Sequence, residues 1–120
     1  MEKKGIHIIS NLFGCKNPEY LVNRQKLETL VTESIERNGL TILRKDFYEF
    51  GENCGMTGYL LLAESHVSLH TWPERDNYIA LDIFVCNYNK DNTKNARKIY
   101  QDLLDSFKPT TKEETFLRRN

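Results

Sequence analysis

Hydrophobic and polar residues alternate along two stretches in the second half of the chain. Residues 66–72 alternate apolar side chains with histidine, serine and tryptophan, and residues 79–85 place four aliphatic side chains on one face. A period of two residues is typical of a β-strand with one buried face. The patterning predicts further strands at 5–13, 40–50 and 56–63. The last is so apolar that we expect both of its faces to be buried.

Two other segments repeat apolar residues at helical spacing. The first begins at Asn17-Pro18, a capping residue followed by the residue favoured at the first helical position, and ends at Asn38-Gly39. The second begins at Asp91-Asn92 and ends before Pro109. Its inward-facing side chains are predicted to be Ala96, Ile99, Tyr100, Leu103 and Phe107.

These elements give the order β-α-β-β-β-β-α, and the short connections between successive strands predict an antiparallel sheet. We therefore expect one α+β domain over 1–120, a two-layer sandwich whose antiparallel β-sheet is covered on one face by two helices. The polar tail at 110–120 fits either a short edge strand or a disordered segment.

The sheet face opposite the helices is expected to be unusual. The aliphatic face of 79–85 should meet the helices, which leaves a face rich in aromatic side chains and histidines. Such a face is too aromatic to remain in contact with water. Packing it against the same face of a second copy would bury it, so we predict a homodimer with two-fold symmetry.

The composition excludes several classes of function. The 120 residues include 17 basic and 17 acidic ones, so the chain lacks the basic excess of a nucleic-acid binder. No run approaches the ~20 apolar residues of a membrane span. The N-terminus has too short an apolar stretch for a signal peptide, so we expect a cytoplasmic protein. Cys15, Cys54 and Cys86 are odd in number and widely spaced, which fits neither a disulfide framework nor a zinc motif.

The Glu64-Ser65-His66 step lies between an apolar run and the alternating strand. On its own, such a tripeptide is most often a polar turn. A Ser-His-Asp hydrolase does not fit, because the chain has no Gly-x-Ser-x-Gly sequence and no parallel sheet to present it.

The wider context of this step forms a long ordered pattern. The segment GMTGYLLLAESHVSLHTWPE (55–74) is followed by ALDIFVC (80–86), and related features extend from GIHII near the start to CNYNKDN. This pattern resembles the prokaryotic S-adenosylmethionine decarboxylases, small enzymes that depend on a pyruvoyl group. The resemblance implies an antiparallel sheet backed by helices, dimeric in the bacterial members, which agrees with the fold predicted from the patterning.

The resemblance implies that the chain cuts itself between Glu64 and Ser65. The Ser65 hydroxyl would attack the Glu64 carbonyl, and elimination and hydrolysis would then convert Ser65 into a pyruvoyl group. The products would be a β chain of residues 1–64 and an α chain of residues 65–120.

Two further residues match the family's processing machinery. His70 corresponds to the base for the elimination, and Thr57 to a hydroxyl that assists it. Because His70 lies five residues beyond Ser65, the chain is expected to bend sharply at the cleavage point so that the two meet. His66 is interpreted as structural.

The remaining matches concern the substrate. Cys86 corresponds to the proton donor that restores a hydrogen to the substrate carbon after decarboxylation. Glu74 corresponds to the carboxylate that accepts hydrogen bonds from the ribose hydroxyls. Phe50 corresponds to the aromatic residue that stacks on adenine, and Phe13 is a weaker candidate for the same pocket.

The implied reaction is the decarboxylation of S-adenosylmethionine, joined to the pyruvoyl group at residue 65 as a Schiff base. The product is the aminopropyl donor for spermidine synthesis, and the scheme requires no metal and no diffusible cofactor. One alternative is the same pyruvoyl chemistry on ornithine or arginine. The other is a non-catalytic homologue that regulates an active partner, although the chain retains Ser65, His70 and Cys86.

Overall fold

The computed structural model describes residues 4–87 and 90–120, which form six strands and three helices. The strands are β1 (Gly5–Phe13), β2 (Ile42–Glu49), β3 (Met56–Leu62), β4 (Ser65–Trp72), β5 (Tyr78–Cys86) and β6 (Thr111–Arg119). The helices are α1 (Glu19–Val22), α2 (Arg24–Arg37) and α3 (Thr93–Phe107). The strands form one antiparallel sheet in the order β2-β3-β4-β5-β1-β6.

The core lies between one face of this sheet and the helices, as the patterning predicts. On β5, the side chains of Ile79, Leu81, Ile83 and Val85 are all buried. The α3 residues facing them are the predicted set of Ala96, Ile99, Tyr100, Leu103 and Phe107. Because all three helices contact this face, the predicted α+β class with an antiparallel sheet is confirmed.

The prediction of one continuous helix between Asn17 and Asn38 is wrong. The chain forms α1 and α2 with a break at Asn23, whose backbone is extended at φ −110° and ψ 102°. The Asn23 side chain accepts a hydrogen bond from the N–H of Lys26 at 3.0 Å and so caps α2. Asn17 is not the cap of α1, since Pro18 occupies the capping position and the Asn17 side-chain amide donates to the carbonyl of Ser106 at 2.6 Å.

The prediction that the third strand is buried on both faces is also wrong. Alternate residues of β3 are buried, beginning with Met56, while Tyr59 is 44% and Leu61 40% exposed. The helices cover only one face of the sheet, so an apolar run in this strand still places half of its side chains on the other face.

The C-terminal tail is an edge strand, which adds an element to the predicted order. β6 pairs with β1 along the whole length of both strands. The Tyr100 hydroxyl in α3 donates to the Glu114 carboxylate at 2.5 Å, and the Arg97 guanidinium lies 4.5 Å from the Phe116 ring centre. These contacts attach the tail to the helix layer.

The second face of the sheet is not covered by any of the described residues and is called the open face below. Its central strands carry the half-buried His66, Ser68, His70 and Trp72 of β4 and the half-buried Tyr78, Ala80, Asp82 and Phe84 of β5. Among the helices of the described residues, none combines the length and apolar character needed to cross a membrane.

Candidate active site

The Glu64–Ser65 peptide lies at the tight junction of β3 and β4. Leu62 and Ser65 are direct partners, so only Ala63 and Glu64 separate the two strands. Ser65 has a φ of 149°, a conformation rarely adopted by residues other than glycine. Such strain persists only where surrounding contacts fix the chain, and it is concentrated at functional sites. The serine predicted to react therefore occupies a strained position.

Cys86 ends β5 beside this junction. Its N–H donates a 2.7 Å hydrogen bond to the carbonyl oxygen of Glu64, the carbonyl that Ser65 is predicted to attack. A donor at this oxygen stabilises the negative charge that an attack on the carbonyl carbon creates. The structure thus brings Glu64, Ser65 and Cys86 together, and we call these three residues the seam group.

Four other predicted residues line a pocket near the opposite end of β4. The cavity has a volume of about 420 Å³ and is walled in part by Phe50, Thr57, His70 and Glu74, which we call the pocket group. Trp72 forms a further part of the wall. The volume is in the range of pockets that hold small organic ligands.

His70 is held in a fixed orientation within the pocket. It lies directly opposite Thr57 across β3 and β4, and the Thr57 hydroxyl is 3.0 Å from the His70 Nδ1 atom. The Trp72 ring lies 5.8 Å from the imidazole, centre to centre. With Nδ1 bound, Nε2 is the nitrogen left to exchange a proton with another group.

The aromatic wall of the pocket continues across the sheet as a stack. Trp72 stacks on Tyr78 at 5.2 Å, and Tyr78 stacks on Phe13 at 5.0 Å. Phe13 is therefore two rings away from the pocket and does not line it. Phe50, which lines the pocket and is 64% exposed, is the better-placed partner for a planar ligand.

The expected meeting of Ser65 and His70 within one chain is wrong. The chain turns at Glu64, but the turn only folds β4 back alongside β3, and β4 runs extended from Ser65 to beyond His70. Five residues of extended strand separate the two by about 16 Å. The seam group and the pocket group are therefore distinct clusters in a single chain.

A cluster on the open face near the seam group includes two residues that sequence reasoning missed, His7 and Arg119. The His66 ring contacts Phe84 at 5.8 Å and His7 at 6.3 Å, in keeping with a structural role. His7 Nδ1 is 3.3 Å from the Arg119 guanidinium, and Nε2 is 3.8 Å from the Asp82 carboxylate. Burial lowers the pKa of His7; Asp82 opposes this effect, whereas Arg119 and His66 add to it. No local motif links residues 112 positions apart.

A strained serine beside a bound carbonyl, and a pocket containing a histidine and a carboxylate, define an enzyme built on an open α+β sheet. The sequence profile of one family, described as S-adenosylmethionine decarboxylase, matches residues 6–120. The chain belongs to this family, so the resemblance seen in its motifs is confirmed.

Individual relatives agree with this assignment. The S-adenosylmethionine decarboxylase proenzyme of Clostridium botulinum (strain Loch Maree / Type A3) is 36% identical over 104 residues, which cover 87% of each chain. The proenzyme of Archaeoglobus fulgidus is 36% identical over 115 residues, or 96% of each chain. The crystal structure of the adenosylmethionine decarboxylase from Aquifex aeolicus matches with a TM-score of 0.88 at 24% identity, covering 100% of this chain and 93% of that one, and supports the fold.

Proposed function

We propose that this protein cuts its own chain between Glu64 and Ser65 and then decarboxylates S-adenosylmethionine. One observation carries the proposal: the peptide at the strained Ser65 is also the one whose carbonyl oxygen is held by the N–H of Cys86. The relatives from Clostridium botulinum and Archaeoglobus fulgidus are named proenzymes, which fits a precursor that must be processed.

The cut requires only groups of the chain and water. The Ser65 oxygen adds to the Glu64 carbonyl carbon, the C–N bond breaks, and the Ser65 nitrogen takes up a proton, so the amide becomes an ester. A base removes the Cα proton of Ser65, and the ester oxygen leaves as the new carboxylate of Glu64. The dehydroalanine at residue 65 takes up water and releases ammonia, which leaves a pyruvoyl group. The N–H of Cys86 would stabilise the oxyanion of the first step.

Ser65 fits the origin of the pyruvoyl group, because its backbone is strained at a φ of 149° and the carbonyl that its hydroxyl would attack is bound by the N–H of Cys86. Once formed, the group supplies an electron sink for the electron pair left on the substrate carbon when CO2 departs. The Cys86 thiol would then return a proton to that carbon. Glu74 would accept hydrogen bonds from the ribose hydroxyls, and Phe50 would stack on adenine.

The active form is proposed to be a homodimer in which each site combines groups from both copies. The open face exposes apolar side chains, including Tyr59, Leu61 and Leu117, that a second copy would cover. A two-fold axis lying between the two sheets and running across the strands reverses the strand direction of the second copy. The seam group of one copy would then face the pocket group of the other, including the base His70.

The composition of the pocket group supports a nucleoside-bearing substrate. Ornithine and arginine have no ribose for Glu74 to bind and no adenine for Phe50 to stack on. The product of the proposed reaction is the aminopropyl donor for spermidine synthesis. A cytoplasmic location stays a prediction.

Intact mass spectrometry of the purified protein tests the proposal. We expect two chains, 1–64 and 65–120, and a single uncut chain for Ser65→Ala. Cys86→Ala should still be cut, because alanine keeps the backbone N–H that holds the Glu64 carbonyl, but its decarboxylation should be slow. A parent protein that stays at full length would contradict self-cleavage. Turnover of ornithine or arginine without turnover of S-adenosylmethionine would contradict the substrate.

A further inference from the structure

The residues just before the proposed cut are attached to a segment that the cleavage chemistry does not use. Thr41 precedes β2, and its backbone N–H and carbonyl both bind the turn between β3 and β4. Its carbonyl accepts a 2.9 Å hydrogen bond from the N–H of Ala63. Its N–H donates a 3.0 Å hydrogen bond to the side-chain carboxylate of Glu64.

Together with the bond from Cys86, these contacts hold the turn from two sides. Thr41 binds Ala63 and the Glu64 side chain, while Cys86 binds the Glu64 carbonyl at 2.7 Å. Once the N–H of Ala63 and the side chain and carbonyl of Glu64 are all bound, few backbone torsions of this two-residue turn remain free. The strained φ of Ser65 needs such restraint, since the chain would otherwise relax to a common conformation.

We infer that the Glu64 carboxylate is a positioning residue for self-cleavage, acting through the N–H of Thr41. By holding this N–H it fixes the plane of the Glu64–Ser65 peptide, so that the carbonyl stays on the N–H of Cys86 and the strain stays at Ser65. A glutamate side chain suits the task because its oxygen accepts a hydrogen bond and its length reaches the N–H of Thr41. The inference rests on the proposed self-cleavage.

Three substitutions of Glu64 separate this role from a general structural one. Glu64→Gln keeps an acceptor oxygen at the same reach, so its cleavage rate should stay within about threefold of the parent. Glu64→Ala removes the acceptor and should slow the cut by about tenfold or more. Glu64→Asp keeps the charge on a shorter side chain and should be nearly as slow as alanine. Glu36→Ala, which removes an exposed carboxylate of α2, should cut at the parental rate.

The rates are measured as the fraction of uncut chain over time by mass spectrometry, and the fold is checked separately. Each Glu64 variant is combined with Ser65→Ala, which prevents cutting, and its thermal unfolding is compared with that of Ser65→Ala alone. In Ser65→Ala itself, hydrogen exchange of the Thr41 amide reports the bond without any change at Glu64.

Slow cutting by the alanine variant with rescue by glutamine, and a protected Thr41 amide, are the expected results. Parental cutting by Glu64→Ala would overturn the inference. So would a glutamine variant as slow as alanine, or a Thr41 amide that exchanges freely in Ser65→Ala. In each of these cases the parent is still cut, so the proposed function stands. An uncut parent would overturn the proposed function and this inference with it.

Discussion

Variants in the seam group and the pocket group should rescue each other when they are mixed in one dimer. Cys86→Ala removes the thiol from the seam group, and Glu74→Ala removes the carboxylate from the pocket group. Either change alone occupies both sites of a homodimer, so each variant by itself should decarboxylate slowly. A dimer containing one copy of each differs, because both changes fall in the same site if sites are shared between copies.

The rescue is expected because the two groups lie far apart in one chain, and its size follows from how the copies pair. Seven residues of β4 separate Ser65 from Trp72 at the pocket, which is about 23 Å of extended strand. The seam group and the pocket group of one chain are therefore expected to act on different substrate molecules. If sites are shared, a mixed dimer has one intact site of two, and random pairing makes half of the dimers mixed. The mixture should therefore recover about one quarter of the parental activity.

The assay is the release of labelled CO2 from carboxyl-labelled S-adenosylmethionine by co-expressed variants carrying two different affinity tags. The matched control is the pair Glu74→Ala and Phe50→Ala, both from the pocket group. In that mixed dimer each site loses one residue, so no recovery is expected. Purification through both tags removes the like dimers and should raise the recovery of the first pair to about one half.

Absence of rescue in doubly purified dimers of Cys86→Ala with Glu74→Ala would refute the reasoning. It would mean that both groups act on one substrate within a single chain, despite their separation along β4. Rescue by the control pair would also count against it, since that result needs the two pocket residues to serve different sites.

Two smaller predictions concern single hydrogen-bonding groups. Thr57→Val should slow the cut by about tenfold, because it removes the hydroxyl that holds His70. Thr57→Ser keeps the hydroxyl and should be cut at nearly the parental rate, with both rates measured by mass spectrometry. Equal cleavage rates for the two variants would contradict the role of the hydroxyl. Burial alone would raise the pKa of Asp102, but three donors from the end of α2 outweigh it and hold this pKa below its ordinary value. Asp102→Ala should therefore lower the free energy of unfolding by about 1–3 kcal/mol in denaturant titrations near neutral pH. This difference in the free energy of unfolding should shrink as the pH falls through the folded-state pKa of Asp102, because the protonated carboxyl no longer stabilises the parent. A difference that does not change with pH would contradict this explanation.

The sequence predicted best where one physical constraint dominates. One face of β5 and one face of α3 are buried against the other layer. This burial sets the spacing of apolar residues in both elements, so the sequence alone predicts them. The break at Asn23 could not, because an asparagine within a helical pattern is tolerated on the surface, and only the packing of α1 and α2 makes it a cap. The exposure of Tyr59 depends on how many faces the helices cover, which is a property of the whole sheet.

The candidate site divides in the same way. Ser65 and Cys86 could be nominated from the motif, and their proximity arises from the pairing of β4 with β5. The role of Thr41 could not, because it depends on a backbone N–H, which every residue except proline carries. The prediction that Ser65 meets His70 is wrong because it requires a local bend, whereas pairing with β3 keeps β4 extended.

The position of the proposed cut explains how the protein could survive it. Residues 1–64 supply β1, β2 and β3, and residues 65–120 supply β4, β5 and β6. In the sheet, β1 lies between β5 and β6, and β3 lies beside β4, so the two chains would remain interleaved through backbone pairing. The cut would also remove the nitrogen that defines the φ angle of Ser65, so the strain of that torsion, on the order of 1–3 kcal/mol, would exist only in the precursor. The same turn that holds the peptide for attack would thus favour the cleaved state, while the sheet keeps both new chain ends in place.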